Sequence, residues 1–354
     1  MAKRSSGSAE VVGLDLGDRW TSWCRCVTGG KVIAEGRVRT QPKALERQFA
    51  DGARYRIVLE TGTHSLWVAR KLRSLGHETY VLHARSLRAI TASRRKTDRL
   101  DARVLAQLGA TTDVEVLHKV DVVDETVQAD RAILLARDTL VRSRTQLVNH
   151  VRGVVKAWGL RLGQSTTKSF PEKVKDEIPE PLRPALLPVL DSISQLTEAI
   201  EGYDRELEQL AVGRYAHSEL LTQVGGVGPL TALAYLWAIR DPHRFAKSRE
   251  VGAYVGLAPG SRSSGQRDPQ LRISKQGNSL LRRLLVQCAH RVLHSPGCKG
   301  DLQSFGLRLA AQGGPRGKKR AIVAVARKLA VLLHHLWKTG EVYEPNRSPL
   351  ATAA

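Results

Sequence analysis

Long apolar runs, acidic residues and cysteine are all scarce in this 354-residue chain. No apolar stretch reaches the roughly 18 residues that a membrane-spanning helix needs. The best candidate, Ala321 to Trp337, is broken by Arg327 and Lys328. The start, MAKRSSGSAEVVG, is basic but has no apolar stretch behind it, so no signal peptide is expected. There are four cysteines, Cys24, Cys26, Cys288 and Cys298, with no CxxC and no paired Cys/His spacing. That argues against a zinc site and for reduced, partly buried thiols in a cytoplasmic protein. Acidic residues number 34 against 56 lysines and arginines, a formal net charge of +22. Such an excess points to a polyanionic partner, most often nucleic acid, with an anionic membrane as the competitor. The remaining composition, 42% hydrophobic and 25% charged, is ordinary for a chain that buries real cores. At about 150 residues per domain, two or three domains are expected.

Three stretches differ in pattern. Residues 11–110 alternate strand and helix signals. VVGLDLG (Val11 to Gly17), TSWCRCV (Thr21 to Val27) and KVIAEGRV (Lys31 to Val38) read as strands at hairpin distance. A helix from Pro42 to Ala50, a strand RIVLETG (Arg56 to Gly62), a helix from His64 to Leu75 stopped by Gly76, a strand ETYVLH (Glu78 to His83) and a helix from about Thr97 to Leu108 follow. This predicts a mixed α/β domain whose element order resembles the ribonuclease-H-like (RuvC-like) fold. In residues 120–212 the strand signals vanish. Val127, Leu134, Val141, Val148 and Val155 recur every seven residues. Leu186, Val189, Ile193, Leu196, Ile200, Tyr203, Leu207 and Leu210 then alternate steps of three and four. That is the a/d pattern of a coiled coil, and it predicts a two-helix arm that packs on itself or on a second protomer. Residues 213–342 read as a third, mainly helical unit, and 343–354 as a disordered tail. The expected boundaries are therefore 1–118, 119–212, 213–342 and 343–354.

Chemistry concentrates in three places. Asp15 and Glu60 end separate strands, and Asp98 and Asp101 lie three apart on one helix, so their carboxylates face the same way. Four converging carboxylates repel unless cations neutralise them, and hard oxygen donors suit Mg²⁺. Two such ions can stabilise attacking and leaving oxygens in phosphodiester cleavage. Any one of these acids alone is an ordinary turn residue or helix cap; the joint pattern carries the signal. Arg85, Arg88, Arg94, Arg95, Lys96, Arg99 and Arg103 crowd around the last pair. They read as phosphate contacts, with a solvated helix face as the alternative. Second, QVGGVGPLTA (Gln223 to Ala232) suggests two short helices joined by a Gly-Val-Gly turn, a helix-hairpin-helix-like element. Its Gly225, Gly226 and Gly228 would let the backbone approach a phosphate, with helix N–H groups pointing at it; a plain tight turn is the alternative. Third, YVGLAPGSRSSGQRDPQLRISKQGNSLLRRLL (Tyr254 to Leu285) sets Ser261, Ser263 and Ser264 in a glycine loop, followed by Arg272, Lys275, Arg282 and Arg283. Serines in such loops are commonly turn formers. A hydroxyl nucleophile would need a base or metal to activate it, and no GxSxG elbow is present.

Together these segments resemble one family, the DEDD insertion-sequence transposases (the IS-one-ten family of RNA-guided serine recombinases). The residues carrying the resemblance are GLDLG around Asp15, LETGTHS around Glu60, KTDRLDA around Asp98 and Asp101, and RSRTQLVNHVRGVVKAWGL in the arm. VGGVGPLTA, VGLAPGSRSSG and RISKQGNSLLRRLL complete the order over nearly the whole chain. The resemblance implies a RuvC-like domain, a coiled-coil dimerisation arm and a C-terminal transposase domain. It implies Mg²⁺, two ions per site, at Asp15, Glu60, Asp98 and Asp101. It implies a serine before the motif glycine, here Ser264, as nucleophile forming a 5′-phosphoserine link to DNA. It further implies double-stranded DNA at element ends and target, a structured bridge RNA, dimers assembling into tetramers, and a bacterial, nucleoid-associated location. Arg262 occupies the place upstream of the serine pair, and Ser263 stands beside Ser264, so the loop departs from a single-serine pattern.

Two other classes compete. A metal-dependent, junction-resolvase-like nuclease would need the four acids but not Ser264. An architectural nucleic-acid protein would need only the basic surface and the arm.

Overall fold

In the first 126 residues, two strands that are apolar through their middles, VVGLDL and RIVLE, lie between strands of mixed character, and the pattern sets the sheet. The computed structural model describes residues 10–83, 97–112, 119–260 and 271–346. It divides into two units, 1–126 and 127–354. In the first, β1 (Val11–Leu16), β2 (Trp20–Cys26) and β3 (Val32–Arg39) form an antiparallel meander. Helix α1 (Pro42–Phe49) leads to β4 (Arg56–Glu60), parallel to β1. Helix α2 (Ser65–Ser74) leads to β5 (Glu78–Leu82), parallel to β4. A short β6 (Lys119–Val120) closes a mixed six-stranded sheet of order β3-β2-β1-β4-β5-β6. Two residues are too few for any alternation to announce, so β6 had no signal in the sequence.

Each face of the sheet has its own cover. Val12, Leu14, Ile57, Leu59 and Val81 pack with Leu45, Val68 and Leu72 of α1 and α2. The opposite face carries Val11, Val58 and Leu82 against Leu105 and Leu108 of α3 (Asp98–Thr111). Cys24 and Cys26 meet Ala102 and Ala106 there. This explains the thiols: they are free and buried, and burial pushes Cys24 up to about 12, so it is inert packing.

The second unit is helical. Its long helices are α4 (Glu125–Ala157) and α6 (Arg183–Gly213), with short α5 (Phe170–Val174) between them. At one end Val148, Val151 and Val155 meet Phe170, Val174, Ile178, Leu186, Leu190 and Ile193. The row that α6 buries within the chain is Leu186, Leu190, Ile193, Thr197, Ile200, Leu207 and Ala211. The alternate positions of the a/d pattern, Val189, Leu196, Tyr203 and Leu210, are only half-buried on its flank. Polar groups sit in the seam because arginines reach across it. Arg144 donates to Thr197 Oγ1 at 3.1 Å, and Arg137 donates to Asp204 at 2.7 Å.

The remaining helices are α7 (His217–Thr222), α8 (Pro229–Ile239), α9 (Glu250–Tyr254), α10 (Ser279–His294), α11 (Asp301–Gln312) and α12 (Gly317–Thr339). Helix α8 is apolar on all sides, which is how a sequence specifies a central helix. It is buried almost throughout, and its Tyr235 hydroxyl donates to the Ala330 carbonyl at 2.7 Å. The Ala321 to Trp337 stretch is the body of α12. Among the described residues no helix is long and apolar enough to cross a membrane.

Candidate active site and nucleic-acid contacts

The acidic residues are placed by the way α3 crosses the sheet. A Cβ on Gly13 would lie 2.1 Å from the Ala102 carbonyl oxygen and 2.3 Å from the Ala106 amide nitrogen. One on Gly109 would meet Val58 and Val11 side chains at 2.6 and 2.9 Å. Only glycine at 13 lets the helix come so close. These contacts also orient α3: Gly109 lies over the start of β1, and Ala102 over its middle. The first turn of α3 therefore points toward the C-terminal ends of β1 and β4.

Asp15 and Glu60 stand at those ends, each one residue beyond the paired Leu14 and Leu59. Both alternate with residues of the α3-covered face (Val11 and Gly13, Val58). Asp98 and Asp101 precede Ala102 and Leu105 by one helical turn, so they share the sheet-facing side of α3. The Thr97 side chain caps the helix by accepting from the Leu100 amide. Two acids in the first turn complement the positive end of the helix dipole. All four predicted carboxylates thus belong to one face and one edge of the sheet. Among the described residues, no three ligating side chains come close enough to hold a metal ion. The donor chemistry, carboxylate oxygens only, suits a hard divalent cation. Asp18, the other acid of this motif, is 94% exposed on the turn after β1 and lies 3.4 Å from His64 Nε2. The His64 Nδ1 accepts from Trp67 Nε1 at 3.0 Å.

Glu35 carries no motif along the chain and was not among the expected site residues. This β3 residue accepts from Arg103 Nε and Arg99 Nε, each at 2.7 Å, and its side chain is only 10% exposed. The two guanidiniums, Arg103 foremost, hold its carboxyl down at about 2. It ties the start of α3 to the outer strand. Arg99 therefore has a protein partner in the folded chain. Arg94, Arg95 and Lys96 lie outside the described residues.

In the second unit, α7 and α8 are joined through a turn containing Gly226, at φ 91°, packed against Val292. Gly228 caps α8, its carbonyl accepting from the Thr231 and Ala232 amides; a Cβ there would meet open space. Ser264, with Ser261 and Ser263, lies outside the described residues, but the flanks of its segment are clear. Gly260 N–H donates to Arg272 O, Ser274 N–H to Ala258 O, and Lys275 N–H to Gly256 O. Pro259 bridges Ile273, so the flanks run antiparallel. Gly256 and Gly277, both at positive φ, let the strands meet where a Cβ would come within 2.2 Å of opposing carbonyl oxygens. Arg272 and Lys275 are exposed. Arg282 instead donates to the Val255 and Gln276 carbonyls, bracing this hairpin from α10. Arg283 makes a bidentate contact to Asp138 of α4, at 2.9 and 3.0 Å, shared with Arg142.

Residues 12–158 match a family described as "Transposase" of the DEDD type (DEDD_Tnp_IS110), and residues 218–300 match the "Transposase IS116/IS110/IS902 family". The chain is 30% identical over 349 residues to the transposase for insertion sequence element IS1111A of Coxiella burnetii. That match spans 96% of this chain and 93% of the relative. It is 30% identical over 290 residues to a probable family 20 transposase of Pseudomonas aeruginosa (80% and 84% of each chain). It is 29% identical over 285 residues to the transposase for IS1328 of Yersinia enterocolitica (79% and 82%).

Proposed function

Since the chain belongs to the IS110 family of DEDD transposases, we propose that it moves an insertion sequence by cutting and rejoining DNA strands, using the four acidic residues of its first unit and the serine of residues 261–270. The observation that carries this reading is the placement of Asp15, Glu60, Asp98 and Asp101 on one face and edge of one sheet. DEDD-type domains generally use divalent metal ions. Here those four carboxylates would hold Mg²⁺, which when bound supplies positive charge for the phosphodiester oxygens and lowers the pKa of a nearby hydroxyl.

In the chemical step, Ser264 Oγ attacks the phosphorus and a phosphoserine ester forms to the 5′ side. The bond to the 3′ oxygen breaks, and that oxygen leaves as a hydroxyl, taking up a proton to replace the one lost by the serine. The reverse attack by a 3′ hydroxyl from another strand reseals the backbone and frees the serine. The pairing that brackets residues 261–270 supports this role, because it delivers both ends of the serine segment to one point. Arg272, Lys275, Arg94, Arg95, Lys96 and the Gly226–Gly228 turn would contact phosphates. A bridge RNA would select donor and target, and the half-buried flank of α6 (Val189, Leu196, Tyr203, Leu210) would join protomers into dimers and tetramers. The enzyme would then act at the nucleoid.

The test is a covalent-adduct assay with Mg²⁺, DNA spanning element ends and target, and RNA transcribed from the element's flank. A protein–DNA band on a denaturing gel, lost in Ser264→Ala and in Asp15→Ala, is expected. Cleaved DNA without an adduct, unaffected by Ser264→Ala, would mean a metal-dependent nuclease instead.

A further inference from the structure

Trp20 and Trp23 lie on one strand but face opposite sides of the sheet. Trp23 packs into the core on the α1–α2 side, its ring so close to Gly36 that a Cβ there would stand 2.7 Å away. Trp20 belongs to none of the apolar clusters and is 39% exposed. Its ring is flanked by two cations, with the Arg39 guanidinium 4.9 Å from the indole centroid and that of Arg37 at 5.8 Å. Among the described residues, neither arginine has an acidic partner. The corner carrying the indole is rigid. Gly17 N–H donates to the Trp20 carbonyl, Thr40 N–H to Arg19 O, and the Thr40 hydroxyl to Gly17 O, while Thr21 Oγ1 lies 2.9 Å from Thr40 Oγ1.

Register fixes where this group sits. Asp15 pairs with Ser22, and Ser22 with Arg37, so Asp15, Ser22 and Arg37 form one row across β1, β2 and β3. Trp20 pairs with Arg39 in the next row outward. By strand geometry Trp20 and Asp15 are diagonal neighbours, with Cα atoms roughly 7–8 Å apart. They share the face that α3 covers further in, at the Gly13 and Cys24 rows.

We propose that Trp20, Arg37 and Arg39 form a stacking platform that holds one unpaired nucleotide of a DNA strand beside the acidic edge. An indole face stacks on any base, and a planar guanidinium either stacks or grips the flanking phosphate. Arginines held over an aromatic ring without carboxylate partners are free to turn onto an anion, and that charge complementarity selects nucleic acid. DNA is assigned rather than RNA because the platform adjoins the carboxylates proposed to act on the cut strand; in that choice and in the placing of a phosphate at Asp15 the inference rests on the proposed function. The role is positioning: the base is held so that the next phosphate lies at Asp15.

The test is anisotropy of labelled short oligothymidylate, oligouridylate and blunt duplex DNA, measured in EDTA so that binding is read without cutting. Trp20→Ala is expected to weaken oligothymidylate binding about tenfold, consistent with the loss of one base–aromatic stack. Trp20→Phe should restore most of it, and blunt-duplex affinity should hardly change. The Arg37→Ala, Arg39→Ala double variant should flatten the salt dependence of single-strand binding by about 1.4 in log–log slope. Asp15→Ala should not weaken oligothymidylate binding in EDTA, so a failure of the metal reading is separable from a failure of the platform. Equal oligothymidylate affinity for wild type and Trp20→Ala would overturn the proposal. A loss confined to oligouridylate would overturn the DNA assignment, and equal losses on single strand and duplex in both Trp20 variants would overturn the platform by making the indole a structural group.

Discussion

Gly13 lies directly beneath Ala102, so close that a Cβ on the glycine would stand 2.1 Å from the alanine's carbonyl oxygen. This contact sets the height and tilt of α3 over β1, and hence where Asp98 and Asp101 stand relative to Asp15 and Glu60. Gly13→Ala must lift the helix. Overpacking of this kind costs about 1–3 kcal/mol. A lower urea midpoint with unchanged m-value is expected, together with loss of DNA cutting out of proportion to the loss of stability. A variant that cuts normally would show that the acids do not depend on this contact.

Glu35 supplies a pH signature. Its carboxyl is held at about 2 against an ordinary 4.5, chiefly by Arg103. A depressed carboxylate contributes stability that is fully present above the ordinary value and disappears as pH falls toward the folded one. Unfolding measured between pH 5 and pH 2.5 should show wild-type stability falling through this window. Glu35→Gln should be less stable at pH 6 and show a shallower fall. Parallel pH curves for the two proteins would mean that the pair contributes nothing.

Arg272 and Arg283 should separate binding from folding. Arg283 holds Asp138, whose carboxyl burial alone would raise but which Arg283 and Arg142 keep below its ordinary range. Both arginines are substantially exposed, so solvent screening limits the effect. Arg283→Ala is expected to cost about 1–2 kcal/mol in thermal unfolding. Arg272→Ala should leave unfolding unchanged and reduce DNA affinity, with a smaller salt slope. The opposite allocation would reverse the two roles.

On α6, position determines what a charge does. Ile193 and Ile200 are buried within the chain, so Ile193→Glu or Ile200→Glu should unfold the arm whatever its association state. Leu196→Glu with Tyr203→Glu falls on the half-buried flank. Light scattering of that pair should show a smaller particle than wild type with helix content retained. An unchanged mass would place the contact between protomers elsewhere.

Much was legible in the chain itself. The period-two strands, their order and the helix stops of residues 11–83 come through to within one or two residues, because local alternation and turn chemistry specify them. The strand-end acids and the Asp98–Asp101 spacing were readable for the same reason. The heptads announced two long helices but not which row each would bury. Leu190, Thr197 and Ala211 took the places expected of Val189, Leu196 and Leu210; at Thr197 a polar residue is accommodated because Arg144 donates to its hydroxyl across the seam.

Sequence alone determined the charge, the mixed α/β start, the helical remainder and the candidates for chemistry, all properties carried by composition or by neighbours within a turn or a strand. Tertiary structure decided which cations are taken by partners within the protein. Arg99, Arg282 and Arg283 look like Arg272 along the chain, yet they are joined to Glu35, the Val255 and Gln276 carbonyls, and Asp138. It also decided that Trp20 stands outside the apolar clusters while Trp23, half-buried, packs on the core, and that Glu35 anchors α3. Those outcomes depend on partners 6 to 145 residues away in sequence. Hydrogen bonds and packing over such separations leave no periodic trace, because they are set by which surfaces meet when the sheet and helices close.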